Sequence, residues 1–347
     1  MTNKKEITIY DIAKALNLSA STVSRGLRGN SAIRKDTRRR IADAAIAMGY
    51  QQNTFARNLR NNSSNTIGVI LPRLNSNFQS SVVAGIEKEA NKKAFNLIIS
   101  QSQESFQKEQ DNISTMFNSR VDGLLISLAS DTDNLKHLDR FLKKNIPVVF
   151  FDRVIDHPDC ACVKVVIDNE KAGYDAVMHL IDQGCKRIVF LGGNLQSNVY
   201  RDRHLGYKRA LEEHGLSYFP EYTMVDKLDE GSGKRTVVKM LRMKNRPDGI
   251  FAANDTSAVS VICSLKEVDI KVPEEIAVVG FNNVTISRLF DPSLTTVHYP
   301  GEEMGELAAS TLIEMLNNQE PVIPKTIVLQ HKLIIRKSSV RNSTTKS

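Results

Sequence analysis

The sequence predicts an α/β body of two doubly wound parallel-sheet subdomains, preceded by a small all-α helix-turn-helix domain. From Thr66 onward, short apolar runs alternate with amphipathic helices, which is typical of a buried parallel sheet. The alternation comes in two cycles of similar size, so two sheets are expected. The positive charge is concentrated before this pattern begins. Residues 1–62 hold 12 basic and 4 acidic residues, a net charge of +8, and the rest of the chain is neutral.

The first element is a pair of short helices in the stretch IYDIAKALNLSASTVSRGLRG (9–29), joined at Asn17-Leu18-Ser19. Apolar residues recur at helical spacing in both pieces, so each helix turns one face onto a small core. Ser19 is a suitable N-cap for the second helix. The positions then expected to point away from the core are Ala20, Ser21, Ser24 and Arg25.

The next element, DTRRRIADAAIAMGY, predicts a third helix with Asp36 as its N-cap and Gly49 as its stop. Residues 50–65 are polar and end in an Asn/Ser tract typical of a linker, with a short helical island NTFARNLR inside it. We therefore expect a helix-turn-helix domain at 1–50, a hinge helix and linker at 51–65, and the α/β body at 66–347.

Within the body we expect two lobes. The first comprises about 66–162 plus 296–322, and the second about 163–295 plus 323–340. Open parallel sheets bind ligands at the carboxyl ends of their strands. The residues just after LLIS, VVFFD, FLGG, FAAND and VVGFNN should therefore converge on a cleft between the lobes.

Composition limits the possible functions of this 347-residue chain, which is 41% hydrophobic. No apolar run approaches the roughly 18 residues that a membrane span needs, and the N-terminus lacks a secretory signal, so a cytoplasmic protein is expected. The four cysteines do not show zinc-site spacing, and neither a metal nor a cofactor is expected. The basic N-terminal part suggests a polyanion-binding domain, although a solvated helix surface around Arg38-Arg39-Arg40 is the alternative.

Enzyme motifs are missing where a catalytic function would need them. GSGKR (231–235) lacks the first glycine and the Ser/Thr of a phosphate-binding loop. No G-x-G-x-x-G follows a strand, and there is no G-x-S-x-G elbow of a hydrolase. The sequence therefore indicates a binding protein rather than an enzyme.

An ordered set of motifs extends along the whole chain. It includes TIYDIAK, STVSR, AMGY, NTFARNLR, GIEKEA, DGLLIS, FDR, VVIDN, RHLGY, FAAND, VVGFNN and DPSLTTV. This order resembles the LacI/GalR family of transcriptional regulators. The resemblance implies a DNA-binding head on a periplasmic-binding-protein-like body that binds a small effector.

The resemblance places the second helix in the major groove of DNA. The matching base-contacting positions are Ala20, Ser21 and Arg25, and their chemistry agrees, since Arg can bridge guanine O6 and N7 and the Ala methyl can pack on thymine. Some further positions match phosphate contacts, with capping or ordinary surface polarity as the alternative. These are Tyr10, Ser19, Thr22, Ser24 and Arg28.

The resemblance also implies that two hinge helices pair over the minor groove. Leu59 matches a residue that wedges between base steps, with Asn53 and Ala56 beside it. The alternative is that Leu59 packs against the body. Gln52 stands where the family often has proline, so the start of this helix is less preorganised.

In the body, Arg203 and Asp255 match the arginine and aspartate of the family's R-x-x-G-[YF] and N-D motifs. A guanidinium and a carboxylate across a cleft suit a polyhydroxylated or polar ligand. Structural roles remain open, as an ion pair for Arg203 and as the N-cap of the next helix for Asp255. Comparable loop positions hold Asn77, Phe78, Ser127, Asp152 and Asp168, and helix capping is the alternative for Asp168 and Asn254.

These observations favour a homodimeric, sequence-specific DNA-binding regulator, a repressor, whose affinity for a palindromic double-stranded operator responds to a sugar or related metabolite. A dimer is expected because one reading helix covers only a half-site. The rival interpretation is a cytoplasmic sugar-binding or sugar-processing protein with an incidental basic head. The sequence leaves open whether the effector weakens or strengthens DNA binding.

Overall fold

The computed structural model describes residues 7–50, 63–155, 162–318 and 323–341. The chain separates into two compact units, Met1–Ser64 and Asn65–Ser347. The described part of the first unit is helical, and the second contains two six-stranded sheets. The expected hinge residues Asn53, Ala56 and Leu59 lie outside the described residues.

The N-terminal unit contains α1 (Ile9–Leu16), α2 (Ala20–Leu27) and α3 (Lys35–Ala47). Asn17 ends α1 in the left-handed conformation, with φ of 56°. Ser19 then caps α2, because its Oγ accepts a hydrogen bond from the Thr22 backbone N–H at 3.1 Å. This confirms the predicted turn and cap between the two helices.

The start of α3 differs from the prediction. Asp36 was expected at the N-cap, but the helix begins at Lys35, and Arg34 at the cap position makes no side-chain hydrogen bond. The chain turns earlier because the Asn30 side chain accepts from the Ala32 N–H at 2.9 Å. Asp36 therefore lies in the first turn of α3, where its negative charge interacts favourably with the helix dipole.

The core of this unit is small. Ile12, Val23 and Ile41, one from each helix, are fully buried. A Cβ on Gly26 would lie 2.5 Å from Ile41 Cδ1. The missing side chain at Gly26 thus lets α2 approach α3 closely, and this packing fixes the direction of α2.

The larger unit contains two sheets whose strand neighbours are parallel, except for the antiparallel pair β10–β12. In spatial order the first sheet is β11 (Lys325–Leu329), β5 (Val163–Ile167), β4 (Val148–Phe151), β3 (Gly123–Ile126), β1 (Thr66–Leu71) and β2 (Asn96–Gln101). The second is β12 (Lys332–Ile334), β10 (Thr295–His298), β9 (Ala277–Asn282), β8 (Gly249–Ala252), β6 (Ile188–Gly192) and β7 (Thr223–Val225). The predicted doubly wound architecture is confirmed.

The helices of the larger unit connect and cover these strands. They are α4 (Asn77–Lys92), α5 (Phe106–Asn118), α6 (Asp139–Lys143), α7 (Asn169–Asp182), α8 (Asn198–Glu213), α9 (Ser232–Leu241), α10 (Asp255–Lys266), α11 (Ile286–Leu289) and α12 (Gly301–Asn318). Strands β3 and β8 are buried along their whole length, as expected for parallel strands covered on both faces.

The predicted lobe boundaries are wrong at three strands. β5, expected to open the second lobe, pairs with β4 in the first sheet. β10 pairs with β9 in the second sheet, and β11 pairs with β5 in the first. The apolar pattern identifies each strand but carries no information about which sheet it joins. The described chain consequently crosses between lobes after β5, after β10 and after β11.

Each lobe contains a pair of helices packed through glycine. In the first lobe, a Cβ on Gly85 of α4 would lie 2.0 Å from the Glu302 carbonyl oxygen, and one on Gly305 of α12 would lie 2.0 Å from that of Val82. In the second lobe, Gly173 of α7 and Gly206 of α8 make equivalent contacts. Both helix pairs therefore meet backbone to backbone.

Candidate functional site

The second helix of the N-terminal unit presents an exposed polar face. Ser21 and Arg25 of α2 are solvent-exposed. Ala20, expected on the same outward face, is half-buried and packs against the small core. Ala20 is the first residue of α2, and the turn before it brings this end of the helix against α1. The outward face is therefore formed by Ser21 and Arg25, with Ala20 at its edge.

The polar residues around this face interact with one another. Ser19 Oγ lies 2.9 Å from Ser21 Oγ and 2.8 Å from Thr22 Oγ1. Arg28 Nη2 donates to Ser24 Oγ at 2.6 Å. All these side chains remain at least partly exposed, as does Tyr10 of α1. Capping is thus established for Ser19, while its surface position leaves it able to meet a phosphate.

In the larger unit, the Asp152 carboxylate accepts hydrogen bonds from residues of both lobes. It follows β4 and is 3% exposed. Its Oδ1 accepts from the Tyr299 hydroxyl at 2.8 Å, and its Oδ2 accepts from Gln79 Nε2 at 3.0 Å and from Ser127 Oγ at 3.4 Å. Tyr299 follows a strand of the second sheet, whereas Gln79 and Ser127 belong to the first lobe.

The environment of Asp152 alters its ionisation. Burial raises the pKa of the carboxyl group, while the charge of Arg153 and the hydrogen bond from Tyr299 act in the opposite direction. The net pKa is above that of an exposed aspartate. Asp152 therefore depends on the charge of Arg153 and on its hydrogen-bond donors to remain ionised.

Arg203 of α8 faces the same cluster and is 3% exposed. Its Nε donates to Asn169 Oδ1 at 2.8 Å, and its Nη1 donates to the Ala253 carbonyl oxygen at 3.0 Å. The guanidinium carbon lies 3.6 Å from the centroid of the Phe281 ring. Burial lowers the pKa of Arg203, and the nearby Tyr299, Tyr200 and Asp152 partly offset this.

Aromatic rings connect the two charged groups. Phe78 of α4 stacks on Tyr299 with ring centroids 4.2 Å apart. Phe281 meets Tyr299 edge to face at 6.0 Å. Phe78, Asp152, Arg203 and Tyr299 are all more than nine-tenths buried, so the cluster is closed to solvent in this structure.

Asp255 has a different environment from the one predicted. It is the first residue of α10, and the N-cap is Asn254, whose Oδ1 accepts from the Ser257 N–H at 2.8 Å. Asp255 Oδ1 accepts from Thr296 Oγ1 at 2.6 Å and Oδ2 from the Val284 N–H at 2.8 Å. Both carboxylate oxygens are thus used inside the second lobe. The N-cap alternative for Asp255 is wrong, the capping alternative for Asn254 is confirmed, and effector contact by Asp255 stays a prediction.

Two other predicted effector residues are exposed. Asp168 caps α7, since its Oδ1 accepts from the Lys171 N–H at 2.8 Å. The capping alternative is therefore confirmed for Asp168. Asn77 is the exposed first residue of α4, next to the buried Phe78.

Sequence reasoning missed several members of the cluster. Gln79 belongs to none of the quoted motifs, and Asn169, the last residue of VVIDN, was not singled out; only folding places their amides on Asp152 and Arg203. Tyr299 follows β10 directly, so the rule that ligands collect at strand ends could have found it. Gln79 Oε1 and Ser197 Oγ are buried without a hydrogen-bond partner in the described structure. Gln79 Oε1 belongs to the amide that donates to Asp152, so it leaves one unused acceptor next to that carboxylate.

Comparison with known proteins agrees with this arrangement. Residues 8–53 match the family model of bacterial regulatory proteins of the lacI family, and residues 177–339 match a periplasmic binding protein-like domain. Catabolite control protein A of Priestia megaterium is 32% identical, over 96% of this chain and 99% of its own length.

The chain belongs to the lacI family.

Two further comparisons agree with this result, one in sequence and one in fold. The HTH-type transcriptional repressor PurR of Erwinia tasmaniensis is 31% identical, over 95% of this chain and 96% of its own length. The fold matches a Lac repressor dimer bound to operator and the anti-inducer ONPF, with a TM-score of 0.86, 24% identity and coverage of 97% of this chain and 100% of that one. These relatives are transcriptional regulators and not enzymes.

As a lacI-family member the chain is a DNA-binding transcriptional regulator with an effector domain. None of its described helices is long and apolar enough to span a membrane. Within the described ranges, no group of three or more His, Cys, Asp or Glu side chains could hold a metal ion.

Asp255 has a raised pKa, which predicts a pH-dependent contribution to stability. Burial raises the pKa of this carboxyl to about 7 from 3.8, against the hydrogen bonds from Thr296 and Val284. Between pH 4 and 7 the folded state therefore holds a proton that the unfolded state has lost. The contribution to stability is present below pH 4 and is lost as pH rises through 7.

We expect Asp255→Asn to remove this dependence, since the uncharged amide can accept from the Val284 N–H through its oxygen and donate through its NH2 to Thr296 Oγ1. Between pH 5 and 8 the wild type should lose about 3 kcal/mol of unfolding free energy relative to the variant. Urea unfolding at several pH values measures this difference. Asp133→Asn, at an exposed position, provides the control. Parallel pH profiles for wild type and Asp255→Asn would contradict the assignment.

Proposed function

We propose that the protein is a repressor that binds a palindromic operator as a dimer, under the control of a sugar or related small metabolite in the cytoplasm. The observation that carries the proposal is the exposed Ser21 and Arg25 face on the second helix of a helix-turn-helix unit. A short second helix that exposes a polar side chain in its first turn and an arginine one turn later suits the major groove.

Base contacts come from this face in the proposed complex. Arg25 is exposed on α2, and its guanidinium can donate two hydrogen bonds to guanine. Ser21 can accept from or donate to several base edges, and the Ala20 methyl at the edge can pack on thymine. The phosphate contacts come from Tyr10, Ser19, Thr22, Ser24 and Arg28.

Dimerisation follows from the size of the reading surface. One α2 helix spans a half-site only, and a two-fold dimer matches a palindrome. The similar Lac repressor structure is a dimer bound to operator, which supports the same assembly here. The hinge residues Asn53, Ala56 and Leu59 would enter the minor groove between the two half-sites.

The effector would bind where Asp152 and Arg203 meet between the lobes. A buried carboxylate and a buried guanidinium, with aromatic faces beside them, can bind the hydroxyl groups and apolar faces of a sugar. Phe78 and Ser127 contribute to this site in the proposal, whereas the exposed Asn77 and Asp168 lie at its margin. Asp255 is kept as a proposed effector residue, and its hydrogen bond from Thr296 also connects it to β10.

Arg25→Ala should weaken binding to the specific operator by about 1–3 kcal/mol, because a bidentate base contact is lost, and should relax preference at one base pair per half-site. Binding to random DNA should change much less. Fluorescence anisotropy with both DNAs measures this.

Lys14→Ala removes an exposed charge from α1 and serves as the matched control. Site selection with the wild type should return a near-palindrome. A single unrepeated half-site would contradict the dimer.

Leu59→Ala should abolish most specific binding, since the variant lacks the side chain that would open a base step. The fold and ligand response of the body should be unchanged. Operator affinity at one fixed salt concentration checks this. Equal affinity for variant and wild type would favour the alternative, in which Leu59 packs against the body.

Arg203→Ala should give a folded dimer that binds operator without responding to the effector. A thermal-shift panel of sugars, sugar phosphates and purines identifies the ligand, and calorimetry then compares the variants. Arg209→Ala changes an exposed arginine on the same helix and should retain wild-type affinity. If Arg203→Ala also binds with wild-type affinity, the ligand binds elsewhere.

A further inference from the structure

The Tyr200 ring is held in place by close packing at the start of α8. A Cβ on Gly193 would lie 2.5 Å from Tyr200 Cε2, so the ring packs directly on the backbone after β6. Any larger residue at position 193 would displace it. The second lobe thus holds this ring in one place beside the cleft.

Arg153 of the first lobe reaches the same ring. Its guanidinium carbon lies 5.6 Å from the ring centroid, and its Nη2 donates to the Tyr200 hydroxyl at 3.5 Å. Arg153 is itself fixed, because both terminal nitrogens bond to the Glu104 carboxylate. The cation is 8% exposed, a setting in which cation–π attraction is stronger than at an open surface.

Arg203 contacts Tyr200 from within the second lobe. Tyr200 lies one turn before Arg203 on α8, and the Arg203 guanidinium carbon is 5.7 Å from the centroid of its ring. One ring therefore contacts two buried guanidinium groups, one from each lobe. Through this ring, Arg203 is in contact with Arg153, which in turn is held by Glu104.

Hydrogen bonds across the cleft surround this contact. Asn198 Oδ1 accepts from the Val154 N–H at 3.1 Å, and Asn198 Nδ2 donates to the Asp152 carbonyl oxygen at 3.4 Å. Asn194 Nδ2 donates to the Ser130 carbonyl oxygen at 3.0 Å. These bonds exist only while the lobes are closed, so the Val154 amide reports closure.

We propose that Tyr200 is a positioning residue that holds the lobes closed, by presenting one ring to Arg153 of the first lobe and to Arg203 of the second. The inference rests on the proposed function, since it concerns the control of the same effector site. In this proposal, contacts between the protein's own side chains stabilise the closed arrangement of the lobes.

Hydrogen exchange of the Val154 amide tests this in the full-length protein, by mass spectrometry with residue-level fragmentation. Tyr200→Ala should exchange this amide about tenfold faster than wild type, because the contact with Arg153 is lost and the lobes open more often. Tyr200→Phe keeps the ring and should stay within about twofold of wild type.

Tyr218→Ala removes a half-exposed tyrosine from the same lobe and should leave the Val154 amide unchanged. Amides of the buried strand β8 should exchange at the wild-type rate in all variants, which separates opening of the lobes from loss of the fold. Should Tyr200→Ala fail to fold, Glu104→Gln weakens the hold on Arg153 from the first lobe and should accelerate the Val154 amide in the same way.

Unchanged Val154 exchange in a folded Tyr200→Ala protein would overturn the inference, as would equal acceleration in Tyr218→Ala. The measurement uses neither DNA nor effector. Its failure is therefore distinct from a failure of the proposed operator or effector binding.

Discussion

A carboxylate taken out of water must receive hydrogen bonds, and Asp152 receives them from elements of both lobes. Gln79 and Ser127 donate from the first lobe, and Tyr299 donates from the end of a strand of the second sheet. Separation of the lobes would withdraw part of this set and admit water instead. The ionisation of one side chain is thereby tied to the arrangement of two sheets.

Much of this arrangement could be predicted from sequence, because it follows from local rules. The strand-end rule for parallel sheets located Ser127 and Asp152 after β3 and β4. Alternation of apolar runs and helices gave the two sheets, and the small polar residue before α2 gave its cap. Each of these inferences depends on a few neighbouring residues.

The remaining features depend on contacts between distant parts of the chain. Whether β5 joins one sheet or the other is decided by its pairing with β4 and β11, which its own apolar pattern does not encode. The cap of α10 falls to Asn254 because the Asp255 carboxylate is taken by Val284 and Thr296, some thirty to forty residues away. Gln79 and Asn169 gain their partners in the same way.

The glycine contacts within each lobe have a consequence for how such sequences can diverge. Where two helices meet backbone to backbone, their spacing does not depend on the volume of any side chain at the contact. Gly173 sits directly against the Cα of Arg203, at 2.8 Å from the position a Cβ would take. We therefore expect the position of that guanidinium to change little when residues elsewhere in the core are substituted. Residues around the cleft can then change to suit a new ligand while the frame that presents Arg203 stays the same.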